Sequence, residues 1–373
     1  MRIGMVGHAF MGAVHSQAWR TAPHFFDLPD LELTAICGRD EERTRAAADK
    51  FGWQSYETDW RALVARDDID IVDICTPGDS HAAIAVAALQ EGKHVLCEKP
   101  LANTVAEAVA MVAAAERASG FAMTAFNYRR VPALALARQL IEAGRLGTLR
   151  QVRAQYLQDW LVDPDFPLTW RLQADKAGSG ALGDLGAHII DLSQFLTGQH
   201  ITSVGALLHT FLTERPLPDA PEARGPVTVD DVAMFTARFD GGAIGSFEAT
   251  RFASGRKNSM RIEINGSTGS LAFDFEAMNE LSFYDGREDP AGFRRILVTE
   301  PTHPYMAAWW PPGHGIGYEH TFTHQVRDFV TAITDGVQPR PSFADGLQVQ
   351  QVLAAVQSSG QAAGTHIPVP GTN

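Results

Sequence analysis

Three separated groups of residues in this chain are of types and spacings that can do chemistry. In the segment CEKPLA, 97–102, an apolar run ends in Glu98 and Lys99 directly before Pro100. Proline fixes its own φ and biases the preceding residue away from helical geometry, so Lys99 is offered on a rigid turn. Lying beyond a strand end, it would project into the crevice where an open α/β sheet binds ligands, or else stand as a loop lysine paired with Glu98. In AGSGALGDLGAHIIDLSQFL, 177–196, a helical wheel puts Leu185, Ile189, Leu192 and Leu196 on one stripe and Asp184, His188 and Asp191 on the next. Two faces imply two jobs, one of packing and one of meeting a bound molecule. Gly178, Gly180, Gly183 and Gly186 leave room for a small molecule. The plainer alternative makes Asp184 a helix cap whose i,i+4 contact with His188 is worth about 0.2–0.5 kcal/mol. Two ligands on one helix, without a third His or Cys at useful spacing, do not make a metal site.

The third group is GHAFMG, where Gly7, Ala9 and Gly12 occupy the three positions of G-x-G-x-x-G and Phe10 and Met11 fill the gap. It follows a strand-like run and opens a helix at the start of a βαβ series, which is the context a dinucleotide cradle requires. The pyrophosphate would face a helix N-terminus. At the end of the second strand, CGRDEER puts Gly38 where a ribose-binding carboxylate is expected. Arg39 can pair with a 2′-phosphate and Asp40 can swing toward a diol, so NAD and NADP both stay open. Thr76, Pro77, His81, Glu98 and Lys99 follow strand ends and line the same crevice. His15, in GAVHSQAW, reads as a packing residue at the start of a helix.

The elements that must position these groups change in texture along the chain. Up to about residue 125, short apolar strands (RIGMV, LELTAIC, IDIVDIC, HVLCE, FAMTA) alternate with helices near 11–22, 41–51, 80–90 and 104–118. This is a doubly wound, parallel α/β pattern. After about 145 the strands are longer and alternate in period 2, which suits an open, mostly antiparallel sheet in an α+β domain. Helices fall near 183–196, 319–335 and 345–362, and ERPLPDAPEARGP, 214–226, resembles a linker. The expected domains are 1–126, dinucleotide-binding, and 127–373, substrate-binding. With 31 basic against 44 acidic residues the net charge is −13, which disfavours nucleic acid. No apolar run approaches the roughly 20 residues of a membrane span, and a cytoplasmic location is expected. Cys37, Cys75 and Cys97 have neither disulfide nor zinc spacing, and neither a cysteine nucleophile nor a Ser–His–Asp triad has a supporting context.

Taken together, GHAFMG, TPGDSH, CEKPLA and GALGDLGAHIIDL resemble the Gfo/Idh/MocA family of oxidoreductases over essentially the whole chain. The resemblance implies a Rossmann domain, a C-terminal domain on an open sheet that also serves oligomerisation, NAD or NADP, and oxidation of a sugar or cyclitol hydroxyl. It assigns catalysis to Lys99, Asp184 and His188. The segments FNYRRVPA, YLQDWLVDPDFPLTWR, AGSGALGD, EATR, HPY, GIGY and SFADG are similar to the members that oxidise carbon 3 of anhydro- or C-linked sugars. They offer Asn127, Tyr128, Arg129, Asp159, Trp160, Trp170, Arg171 and His320 as sugar contacts, with Trp170 and Arg171 also reaching the cofactor; rings and hydrogen-bonding groups are what a sugar needs. Trp309 and Trp310 are expected on a long loop that covers the pocket or meets a neighbouring subunit. The partners implied are a small carbohydrate or cyclitol and further copies of the chain, as a dimer or tetramer. Inositol dehydrogenases, redox-assisted glycoside cleavage and a non-catalytic nucleotide sensor remain as alternatives.

Overall fold

The N-terminal strands are apolar almost throughout, and they form a sheet with helices on both faces. The computed structural model describes residues 1–371, in two compact units: Met1–Arg130 with Ile316–Leu347, and Val131–Gly315 with the chain from Gln348 onward.

In the first unit the elements are β1 (Arg2–Val6), α1 (Phe10–Phe25), β2 (Glu32–Cys37), α2 (Glu41–Phe51), β3 (Ser55–Glu57), α3 (Trp60–Val64), β4 (Ile71–Ile74), α4 (His81–Gln90), β5 (His94–Cys97), α5 (Val105–Arg117) and β6 (Ala122–Thr124). All six strands are parallel, in the order β3-β2-β1-β4-β5-β6. The chain winds outward from β1 in one direction and then restarts beside it with β4. Strand order therefore reverses between β1 and β4, where the carboxyl ends open a ligand crevice. Local signals set the helix limits: Asp40 caps α2 by accepting the Arg43 N–H, Gly52 ends it in the left-handed region, and Thr104 and Glu107 form a capping box on α5. Cys37, Cys75 and Cys97, at strand ends, are buried. Burial pushes the Cys37 thiol up to about 12 and raises Cys75 and Cys97 as well.

A late segment completes this unit. α1 lays Trp19 and Ala22 against the sheet, and the apolar stripe Phe322, Val326, Phe329 and Val330 packs on the same cluster. That stripe belongs to a helix at Tyr318–Thr334, which groups with the N-terminal compact unit although it follows residue 127 in the chain. Contiguity in sequence is no guide here, because the stripe is buried only by joining the N-terminal core.

The second unit contains α6 (Pro132–Glu142), β7 (Leu149–Leu157), α7 (Ala174–Ala177), α8 (Ala187–Thr197), β8 (Ile201–His209), β9 (Glu214–Leu217), β10 (Ala220–Pro226), β11 (Val232–Phe239), β12 (Ile244–Thr250), β13 (Ser259–Gly266), β14 (Gly269–Asp274), β15 (Glu280–Asp285) and β16 (Arg294–Leu297). After the returning helix α9 (Tyr318–Thr334), helix α10 (Phe343–Gln361) starts in the first unit and ends in the second, and β17 (Ile367–Pro368) follows. Nine strands form one sheet, β16-β15-β14-β13-β7-β12-β11-β8-β17, antiparallel except where β12 runs beside β7. Burial alternates along β7 and β11, so one face carries the core under α6 and α8 while the other is exposed. Leu185, Ile189, Leu192 and Leu196 all face that core, each contributing about 1.5–3 kcal/mol on burial.

The segment 214–226 is a two-stranded hairpin, not a linker. Its prolines are tolerated because both strands are edges. Arg215 is fully buried and donates to the carbonyls of Leu161 and Asp163, which ties down the loop that carries Trp160.

Candidate active site

The cradle is built by loop geometry. Gly7 adopts φ +102°, and a Cβ there would press on the Cys75 carbonyl; a Cβ on Gly12 would press on the carbonyl of Gly7. Ala9 takes an ordinary negative φ of −73° at the N-cap of α1, so its methyl is tolerated. The first turn of α1 has no acidic residue, and Phe10 stands 62% exposed beside Met11. Close-packed backbone leading to an uncapped, uncharged helix start fits a pyrophosphate.

At the end of β2, His8 reaches across from the cradle. Its Nε2 is 3.2 Å from Thr44 Oγ1, and it occupies the place a side chain at Gly38 would need. Nothing larger than glycine fits at Gly38 unless His8 moves. Asp40 is engaged as the α2 cap and pairs loosely with Arg43, and Arg39 is exposed.

Along β4 and β5 the expected crevice residues divide by role. His81 is buried, with Nε2 2.8 Å from the Thr76 carbonyl and Nδ1 3.0 Å from that of Pro100. It joins the two strand-end turns, leaving Thr76, Pro77 and Lys99 as the half-buried groups of this edge. Glu98 turns inward: Oε2 accepts the Lys99 N–H at 3.1 Å, and Oε1 lies 3.0 Å from His15 Nε2. The Lys99–Pro100 peptide is cis.

His15 is not simple packing. Its Nδ1 lies 2.9 Å from Asp73 Oδ2, and the Trp19 indole N–H donates to the same oxygen at 2.7 Å. Burial opposes charge on His15 most strongly, but Asp73 and its neighbours prevail and raise its pKa well above the usual value. His15, Asp73 and Cys75 are close enough to share an ion. The 2.9–3.0 Å nitrogen–oxygen separations are instead those of hydrogen bonds. A sequence signal for this network existed, since an aspartate inside the apolar strand IVDIC must have a partner.

Asn127 and Tyr128 are buried in the first unit. The Asn127 amide donates to Thr321 Oγ1 at 2.8 Å, and the Tyr128 ring meets Tyr318 edge-on. Arg129 is half-buried, and His320, whose Nδ1 accepts the Gly317 N–H, is pushed down by burial.

In the second unit, Asp184 lies in a π-helical turn, Leu182–Gly186, that runs straight into α8. Such turns widen the helix locally and recur at functional sites. The start of this helix is capped from another element: Asp230 accepts the N–H groups of Gly180 and Leu182, each at 2.7 Å. A Cβ at Gly180 would run into the Asp230 carbonyl. One turn after Asp184, His188 is buried, with its ring 5.8 Å from that of Tyr156. Arg251, also buried, places Nη1 3.9 Å from Asp184 Oδ2 and donates to the Asp230 carbonyl, and its guanidinium covers the Trp160 ring. Asp230 carries no sequence signal of its own and Arg251 only its place in the segment EATR; the fold brings both to the helix start.

Asp159 is held by Lys257 at 2.7 Å and by the Gly255 N–H, and these bonds lower its pKa. Trp160 is half-buried and donates its indole N–H to Gln158; Trp170 and Arg171 stack on each other at 4.3 Å. Trp309 and Trp310 follow a short 3₁₀ turn in the segment between β16 and α9, with Trp310 exposed.

Residues 1–126 match the oxidoreductase family with an NAD-binding Rossmann fold, and residues 134–272 match the GFO/IDH/MocA C-terminal domain. The chain belongs to the Gfo/Idh/MocA family of NAD-binding oxidoreductases. Levoglucosan dehydrogenase of Pseudarthrobacter phenanthrenivorans is 43% identical to it, over 96% of both chains. A levoglucosan dehydrogenase solved with NADH and levoglucosan is 43% identical, with a TM-score of 0.95 and 99% coverage of each chain. An oxidoreductase domain protein from Kribbella flavida is 66% identical, with a TM-score of 0.96 and 99% and 98% coverage. Among the described residues no helix is long and apolar enough to cross a membrane.

Proposed function

We propose that this protein oxidises one ring hydroxyl, at carbon 3, of a sugar, anhydrosugar or glycoside, and that it does so with NAD. The observation that carries the reading is the full-length similarity to levoglucosan dehydrogenase in a chain that also has Lys99, Asp184 and His188. Bound NAD supplies the acceptor for the hydride that leaves carbon. His188 takes the hydroxyl proton, Lys99 holds the oxygen and stabilises charge that develops on it, and Asp184 orients His188. Arg251, buried beside Asp184, supports an ionised carboxylate there. Trp160 offers the flat apolar surface on which a sugar ring packs. The reading includes a cytoplasmic location and a homo-oligomer, the latter supported by Leu207, Met234 and Ile244, which stand exposed on the large sheet.

The test is absorbance of the reduced nicotinamide when the protein is mixed with NAD or NADP and levoglucosan, glucose, C- and O-glucosides or inositols. Catalytic reduction with an anhydrosugar or glucoside, and a 3-keto product, is the expected result. Reduction with inositols alone would transfer the activity to cyclitols. Aglycone release without free NADH would replace the dehydrogenase by a redox-dependent glycoside-cleaving enzyme, and silence throughout would leave a sensor.

A further inference from the structure

The buried histidine beneath the Lys99 turn has no part in the chemistry proposed above. Its surroundings are completely specified: Asp73 at the end of β4, the Cys75 thiol beyond it, Glu98 at the end of β5, Trp19 on its own helix, and the ring of Phe322 of α9 at 5.4 Å. Both ring nitrogens lie within 3.0 Å of carboxylate oxygens. With both acids ionised, each carboxylate only accepts and a neutral imidazole has one N–H, so satisfying both contacts takes a proton on each nitrogen. Asp73 also accepts from Trp19 and Cys75, which occupies its lone pairs and keeps it an acceptor.

We propose that His15 is an imidazolium clamp that fixes the Glu98 carboxylate, and that Glu98, by accepting the Lys99 backbone N–H, sets the turn from which the Lys99 side chain is presented. His15 is thus a positioning residue, and its catalytic consequence rests on the role given to Lys99 above. The clamp works because it is sealed. His15 is 1% exposed, so water cannot compete for Glu98, and a charge-assisted bond in such a site is stronger than a neutral one. Loss of the imidazolium leaves two carboxylates sharing a dry site, so that one takes up a proton or the turn relaxes to let it reach water.

Three measurements test this together. In protein labelled with ¹⁵N-histidine, both His15 nitrogens should carry protons from pH 6 to 9, with the resonance assigned by its loss in His15→Gln; a neutral ring in that range overturns the clamp. Exchange of the Lys99 amide hydrogen should be about tenfold or more faster in Glu98→Gln and in His15→Gln; unchanged exchange removes the link to Lys99. In steady-state kinetics each variant should lose about tenfold in kcat with the NADH Kd within about threefold, and the double variant should lose no more than a single one. Multiplying losses would mean that His15 does not act through Glu98. Should His15→Gln fail to fold, the wild-type nitrogen spectrum and Glu98→Gln still decide. If the wild type turns over no sugar, the functional reading fails, whereas the exchange experiment still confirms or rejects the positioning.

Discussion

Each compact unit contains a helix with a buried histidine, and the two are surrounded differently. In the first unit His15 is enclosed, with Asp73 on one nitrogen and Glu98 on the other. In the second, His188 follows Asp184 by one turn, the Asp184 side chain keeps 29% exposure, and the cation nearby is Arg251. The first arrangement provides a fixed positive charge with no outlet for its proton. The second puts a permanent charge on arginine beside Asp184, the arrangement that the base role proposed for His188 calls for. A sealed imidazole that has an acid on each nitrogen is thus set apart from one that lies a turn away from a partly exposed acid.

The largest effect should separate the two directly. His188→Ala is expected to lower kcat by about a hundredfold or more with NADH binding near wild type, measured by steady-state kinetics and fluorescence titration. Weak NADH binding with normal turnover would reverse the assignment. Next comes the support of the second helix: Gly180→Ala should cost about 1–3 kcal/mol in denaturant unfolding, because the new methyl meets the Asp230 carbonyl. A neutral result would mean that Asp230 does not define the helix start.

The third prediction concerns pH and sharpens the comparison inside the first unit. Burial pushes His324, bonded to the Arg130 carbonyl, down to about 4. The unfolded chain protonates this residue near 6.5 and the native state does not, so stability should fall as pH drops from about 6.5 toward 4. His15 has the opposite sign: its raised pKa gives a contribution that is complete below about 6.5 and is lost as pH rises through the native value. His324→Phe should flatten the acid side of the stability profile and His15→Gln the alkaline side; a shared effect on one side would break the contrast. The smallest effect is expected at Arg39, where alanine should weaken NADP by several-fold and NAD hardly at all if the guanidinium meets a 2′-phosphate. Equal weakening of both would remove that role.

Much of this was legible in the sequence, for identifiable reasons. The apolar strands, the glycine spacing at residues 7–12 and the stripe Leu185, Ile189, Leu192 and Leu196 are local patterns, and the structure keeps them. The hidden features depend on pairs far apart in the chain. Asp73 indicates that a partner is required without naming His15, and Asp230 lies 46 residues beyond the aspartate whose helix it caps, by the difference of 230 and 184. The hairpin at 214–226 was obscured by its prolines, which read as linker until Arg215 is seen pinning carbonyls of the loop before it. Helix α9 was legible as a helix, but nothing in its own pattern says which core it completes.

The three buried cysteines have a consequence for experiment. All lie in the first unit, and the chain has no others, so thiol chemistry is a private reporter of that half of the molecule. A thiol-reactive disulfide should find the native protein inert and should label it only at the rate at which the parallel sheet opens. Labelling then becomes a clock for opening of the nucleotide-binding core that ignores unfolding of the large sheet. Saturating nicotinamide dinucleotide should slow that clock by the factor one plus ligand concentration over Kd, which yields a cofactor affinity without any substrate having to be known.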